Sequence, residues 1–243
     1  TEITENVSDF DTVLKDAQAK GYAEKDPTAD IEGHDACRKI AILTSLAYGH
    51  QLDFEDIYTE GITNITDRDI NYAKKLGAKI KIFGSSKKEG EKVSAMVAPK
   101  LITVSHPLYS VDGVFNAILI KGNMAGDVMF YGQGAGKLAT ASAVVSDIME
   151  ASKHQGINIK TIWDNQKLGL VPFEESISKF FVRLKGTKAD NEAKVSEVFG
   201  NVTPVDAGYS DEYAFITEAI TEAKYTGASE KLGNVINKIR IDV

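Results

Sequence analysis

Gly21-Tyr22-Ala23-Glu24-Lys25-Asp26-Pro27-Thr28-Ala29-Asp30-Ile31-Glu32-Gly33-His34-Asp35-Ala36-Cys37-Arg38-Lys39 is the stretch from which the fold is read, a turn rich in carboxylates running into a helix. Pro27 bars Asp26 from helical geometry, and Asp30-Ile31-Glu32-Gly33 adds further turn formers, so residues 24–33 are expected as an exposed loop. From His34 the pattern changes. Ala36, Ile40, Leu43 and Ala47 recur at spacings of four, three and four, which marks the buried stripe of a helix reaching about Tyr48 and stopped by Gly49. Asp35 and Lys39 lie four apart on one face, off that stripe, and Cys37 beside it reads as a packed small residue.

A lysine stem held by a helix can put an ammonium at a forming alkoxide, while Glu24, Asp30 and Asp35 offer acceptors for a substrate hydroxyl or amino group. The same spacing also describes a solvated helix N-terminus with one i,i+4 ion pair, contributing roughly 0.2–0.5 kcal/mol. Spacing alone leaves both readings open.

The run Gly-Tyr-x-Glu-x-Asp-Pro-x-x-Asp-x-x-Gly-x-Asp-x-x-x-Lys, filled from Gly21 to Lys39, resembles the substrate-binding signature of homoserine dehydrogenases. A second run, Gly-x-Gly-Ala-Gly-x-x-x-Thr-Ala-x-x-Val-x-x-Asp from Gly132 to Asp147, is similar to the family's other signature, with Ala139 where most members carry proline. Taken as glycines alone, this loop after a strand and before a helix is equally a close-packing turn or an anion-binding one. The resemblance implies reversible hydride transfer between NAD(P) and L-aspartate 4-semialdehyde, giving L-homoserine on the route to threonine and methionine. By that resemblance Lys39 gives a proton to the nascent alkoxide, Glu24 and Asp35 hold the substrate, and Asp30 supports them. Gly21 and Gly136 would lie against the cofactor. The family begins with a nucleotide-binding domain of Rossmann type that has no counterpart in these residues, so the dinucleotide is expected to be bound mainly by that domain. Turnover by the chain alone is not expected.

At 243 residues, 43% hydrophobic and 26% charged, with a net charge of −7, the sequence is that of an ordinary globular protein, and it argues against a nucleic-acid surface. No apolar run approaches the ~18 residues that span a bilayer. The single Cys37 and an N-terminus unlike a signal peptide fit a reducing cytoplasm. His106 reads as a structural hydrogen bonder, because nothing at metal-ligand or base-orienting spacing accompanies it.

Along the chain, Thr66 and Asp67 can cap a helix through Ile70, Ala73 and Leu76, Ala78 to Gly84 alternates as a strand, and Lys92 to Val97 returns after a charged turn. Further strands are expected at Ile102–Val104, Val111–Ile118 and Val128–Tyr131, then a helix from Leu138 to Met149. Residues 153–176 read as a connector. Beyond it come strands at Lys179–Leu184, Val202–Val205 and Tyr213–Thr217, a helix at Asp190–Phe199, a second helix contained within Thr226–Ile239, and a closing strand at residues 240–243. That β-α-β-β-α-β order resembles an ACT domain, the regulatory module appended to many homoserine dehydrogenases, although Gly186-Thr187-Lys188 stands where such domains place a ligand-contacting turn.

The expected class is therefore α+β: a mixed β-sheet covered by helices in a catalytic domain over residues 1–152, a connector over 153–176, and a βαββαβ ACT-like domain over 177–243. Sheet edges that need a partner point to a homodimer or higher homo-oligomer. The alternative function is a stand-alone amino-acid-binding or dimerisation module without catalysis.

Overall fold

The computed structural model describes residues 15, 26, 28–134, 136–160 and 162–242. In chain order these form α1 (Thr28–Ile31), α2 (His34–Tyr48), β1 (His50–Gln51), β2 (Tyr58–Thr59), α3 (Asp67–Lys75), β3 (Ala78–Glu89) and β4 (Lys92–Thr103). Next come β5 (Phe115–Gly122), β6 (Gly126–Gln133), α4 (Lys137–Lys153) and β7 (Asp164–Lys167). The chain continues as β8 (Ile177–Lys185), α5 (Lys188–Phe199), β9 (Val202–Val205), β10 (Glu212–Thr217), β11 (Ile220–Thr221), α6 (Glu222–Leu232) and β12 (Val235–Ile241). By contacts the chain divides into two compact units, one of Thr28–Thr103 with Trp163–Val243 and one of Val104–Ile162 with the chain up to Pro27.

The larger unit is built on one mixed eight-stranded sheet in the order β2-β4-β12-β8-β10-β9, with β3 along β4 and β11 beside β8. Strand β12 runs parallel to β4, pairing Arg240 with Lys100, and antiparallel to β8, so strands from before residue 104 and after residue 176 share one sheet. The two-residue strand β2 also pairs parallel with β4, at Met96 and Val97. The order β8-α5-β9-β10-α6-β12 is the expected β-α-β-β-α-β, interrupted by the two-residue β11.

Alternation of side chains across these strands sets the packing. Phe180, Val182 and Leu184 face α5 and α6, meeting Val195, Phe199, Tyr225 and Leu232. Phe181, Ile239 and Leu101 face the other way, onto Tyr72 and Ala73 of α3. Helix α2 covers a third cluster in which Cys37 and Ala41 meet Val97, Leu52 and Ile57. At about 25 cal/mol per Å² such burial is the main stabilising term.

Several boundaries differ from the sequence expectation. Within the expected loop, the Thr28 carbonyl accepts the Glu32 N–H at 2.9 Å and closes the short turn α1. The buried side of α2 is Cys37, Ala41, Thr44 and Ser45, rotated from the expected stripe, whose Ala47 is exposed. Two polar residues are admitted there because Thr44 and Ser45 hydroxyls donate back to the carbonyls of Ile40 and Ala41 at 2.7 and 2.9 Å. The hairpin β3–β4 is longer than expected and absorbs the separate strand at Ile102, turning only at Gly90 with φ +64°. Helix α6 spans Glu222–Leu232 and so starts before the stretch expected to contain it, because Thr221 caps its start, while Gly233 at φ +70° ends it. Helix α3 begins as expected, Thr66 and Asp69 forming a reciprocal capping box.

In the other unit, β5 and β6 form an antiparallel hairpin in register from Phe115–Gln133 to Gly122–Gly126, and α4 follows over 17 residues. None of its described residues from 104 to 162 is buried, and Ile118, Ile120, Phe130, Val144 and Ile148 are all exposed. Among the described residues no helix is long and apolar enough to cross a membrane.

Candidate functional site

The N-terminus of α2 is seated on the sheet by two glycines. Gly33, the residue before the helix, has φ +79°, and a Cβ there would meet Ile82 Cδ1 and Val97 Cγ1 at 3.1 Å. Gly84 in β3 lets the helix approach, since a Cβ on it would lie 3.0 Å from the Ile40 Cβ. Cys37 is buried with its S–H directed to the Phe54 carbonyl at 3.3 Å, a packed thiol as its sequence position indicated.

Seated in this way, α2 projects Asp35 and Lys39 outward. Lys39 Nζ lies 2.7 Å from Asp35 Oδ2, and the two side chains are 62% and 47% exposed. Asp30 is exposed on α1, and its carbonyl accepts the Gly33 N–H at 3.2 Å, so the turn that carries it is fastened to the start of α2. The structure thus pairs two of the expected site residues and puts a third on the adjoining turn. Glu24 and Gly21 lie outside the described residues. Two shallow cavities, about 290 Å³ near Tyr213 and about 240 Å³ between α2 and Trp163, are lined by none of Asp30, Asp35 and Lys39.

The turn between α1 and α2 is backed by residues 60–63. Gly61 lies so close that a Cβ would meet the Ile31 carbonyl oxygen at 2.4 Å and the Glu32 Cα at 2.6 Å. The Ile62 N–H donates to the Ile31 carbonyl at 2.9 Å, and the Thr63 hydroxyl donates to Glu32 Oε1 at 2.8 Å. Glu60 itself accepts from Arg240 Nη1 at 2.7 Å and from the Tyr58 hydroxyl at 2.9 Å. Arg240, 1% exposed, also donates from Nε and Nη2 to the buried Glu222, at 2.5 and 3.1 Å, and lies beside the stacked rings of Tyr58 and Phe173. Burial would raise the Glu60 carboxyl, but the Arg240 charge and hydrogen bond outweigh it and hold Glu60 below the usual carboxylate range.

A second buried cluster stands on the opposite face of the sheet. Arg183 donates to Asp69 Oδ1 at 2.7 Å and to both oxygens of Glu212 at 2.8 and 2.9 Å, while Asn237 donates to Asp69 Oδ2 at 2.9 Å. These charges tie α3 to β8, β10 and β12. Sequence reasoning passed over Glu60, Arg183, Glu222 and Arg240, yet a signal existed: Arg183 and Arg240 each interrupt an apolar strand, Phe-Phe-Val-Arg-Leu and Ile-Arg-Ile. An arginine flanked in this way has to be paired.

In the smaller unit, the glycine loop ends β6. Gly136, before α4, has φ +107°, and a Cβ on Gly134 would meet the Asn116 Nδ2 at 2.1 Å. Gly134 and Gly136, beside the start of a helix, leave backbone open to close approach by an anion or the edge of a ligand. His106 accepts the Leu108 N–H at 3.1 Å, a local structural bond. Among the described residues no group of three or more His, Cys, Asp or Glu is placed to hold a metal ion.

A profile of the family described as homoserine dehydrogenase matches residues 1–149. The chain is similar to a homoserine dehydrogenase of Neisseria gonorrhoeae, 48% identical over 63% of this chain and 35% of that protein. It is similar over 96% of its own length, and 59% of the relative's, to a homoserine dehydrogenase of Synechocystis sp. at 36% identity. Among solved structures, a homoserine dehydrogenase from Thiobacillus denitrificans superposes with a TM-score of 0.87 at 32% identity, over 99% of this chain and 60% of that one. The S. aureus enzyme gives 0.79 at the same identity, over 100% and 61%. The chain thus spans between about one third and three fifths of the length of these proteins.

Proposed function

We propose, from the premise that this chain belongs to the homoserine dehydrogenase family, that it supplies the substrate-holding part of an enzyme interconverting L-aspartate 4-semialdehyde and L-homoserine. The observation that carries the reading is the Asp35–Lys39 pair, solvent-facing and 2.7 Å apart, inside the stretch whose residues match the family signature. A nicotinamide cofactor, NAD or NADP, supplies the hydride acceptor or donor, with Gly136 and Gly21 proposed at its edge and most of its binding residues in the part of the family's length outside these residues.

In the reducing direction the aldehyde oxygen gains negative charge, and the Lys39 ammonium stabilises it and delivers a proton. In the oxidising direction Lys39 takes that proton back. Asp35 and Glu24 hold the substrate's polar groups, and Asp30 supports them. An exposed i,i+4 pair contributes only roughly 0.2–0.5 kcal/mol, so a substrate can displace Lys39 from Asp35 at little cost. Residues 177–243 are proposed as an ACT-like domain, supported by the β-α-β-β-α-β order. A homo-oligomer is proposed, supported by the exposed Ile118, Ile120, Phe130 and Ile148 and testable by sedimentation.

The test is homoserine-dependent reduction of NAD(P), followed by absorbance, with the chain alone and with a separately produced nucleotide-binding half. Turnover only in the mixture, abolished by Lys39→Ala, is expected. Turnover that survives the substitution would remove Lys39 from the chemistry.

A further inference from the structure

The turn that carries Asp30 and leads to Asp35 is not held by its own element alone. Residues 60–63 lie flush against Ile31 and Glu32, with no room for a side chain on Gly61 and two hydrogen bonds across the contact, Ile62 N–H to the Ile31 carbonyl at 2.9 Å and the Thr63 hydroxyl to Glu32 at 2.8 Å. The other end of that segment is fixed twice. The Glu60 N–H donates to the Val97 carbonyl at 2.8 Å, and its carboxylate meets Arg240 at 2.7 Å. Arg240 is itself fixed, since Glu222 holds its guanidinium and the stacked Tyr58 and Phe173 lie alongside.

We infer that Arg240, on the last strand of the sheet, is a positioning residue for the substrate turn, acting through Glu60 and the strut of residues 60–63. This rests on the proposed reading of Asp30, Asp35 and Lys39. The chemistry is that of a charge-assisted bond in a dry setting: Arg240 makes the ion pair with Glu60 Oε2 at 2.7 Å, Lys238 adds only its charge, and loss of Arg240 leaves a half-buried carboxylate that turns towards water. Turning Glu60 out withdraws the strut from Ile31 and Glu32. Arg240 touches no substrate, so its effect falls on the grip for homoserine and not on proton transfer at Lys39.

Hydrogen–deuterium exchange on the chain tests the mechanical half. Arg240→Met is expected to speed exchange at the amides of Ile62, Glu32 and Gly33 by about tenfold or more beyond any rise at α5 and β10. Arg240→Lys, which keeps a cation, recovers part of that protection. Should Arg240→Met fail to fold, Glu60→Gln, which keeps the shape and removes the charge, carries the same expectation. A uniform rise at all amides, or none at Ile62, overturns the inference. In the mixture with a nucleotide-binding half, the KM for homoserine should rise about tenfold while kcat and the KM for NAD(P) move less than about twofold. Equal changes in both KM values also overturn it. If Lys39→Ala leaves turnover intact while the local exchange signature is present, the functional reading fails and the strut stands.

Discussion

Lys39 and Asp35 meet at 2.7 Å on the surface of α2, and Arg240 and Glu60 meet at 2.7 Å beside the centre of the sheet, yet the two pairs do opposite work. The first is half-exposed on both sides, so water competes for each charge and the pair opens at little cost. The second belongs to a set in which Arg240 and Glu222 are almost wholly out of water and each charge depends on the others. The difference teaches where the precision of the candidate site is kept: the groups proposed to meet substrate are left free to let go of one another, and the buried Arg240, by the inference above, holds the turn that carries Asp30 and leads into α2.

The sharpest way to break that comparison is to remove a cation from the dry side. Arg183→Met would leave the buried Asp69 without its guanidinium and the buried Glu212 with Arg68 alone, and a loss on the order of 3–5 kcal/mol is expected in urea denaturation. A loss near zero would mean that water reaches the cluster. Next comes Gly33→Ala, which forces a Cβ into a φ of +79° against Ile82 and Val97, and is expected to lower stability by about 1–3 kcal/mol in a thermal melt.

Acid should act on stability through the buried clusters. Glu60 and Glu212 both have carboxyls held below the usual carboxylate range, Glu212 because Arg183 and Arg68 outweigh its burial. A folded-state value below the unfolded one gives stability that is complete above about pH 4.5 and is lost as the pH falls through the depressed values. Melting temperature against pH checks this, and Glu60→Gln should flatten the curve between pH 4.5 and lower values. The smallest change in stability is expected for Lys39→Ala and Asp35→Asn, below about 0.5 kcal/mol. The same two substitutions should cost nearly all homoserine-dependent turnover. A large destabilisation from either would place the pair among the structural charges.

Much of the local structure was legible because it is written in neighbouring residues. Gly49 stopping α2, Thr66 starting α3, and the spacing of Asp35 and Lys39 are all local signals, and each stands in the structure as read. The rotated face of α2 was not legible from hydrophobicity, because Thr44 and Ser45 bury their hydroxyls only by bonding to their own helix. The last helix was placed only within a wide stretch because its two end signals, Thr221 and Gly233, were present but not used. What no local pattern could carry was the pairing of β12 with β4, or of Glu60 with Arg240, partners 180 residues apart. The support of the site was therefore hidden while its exposed groups were not.

That same pairing has a consequence in time. Strand β4 cannot receive its parallel neighbour until residues near 240 have been placed, so closure of the sheet is a late, non-local event. Until then the carboxylate of Glu60 has no guanidinium, and only the Glu60 N–H on the Val97 carbonyl anchors the strut. A folding intermediate with α2 already helical would still present a slack turn at Ile31 and Glu32, and homoserine affinity should return in refolding only with the slowest phase.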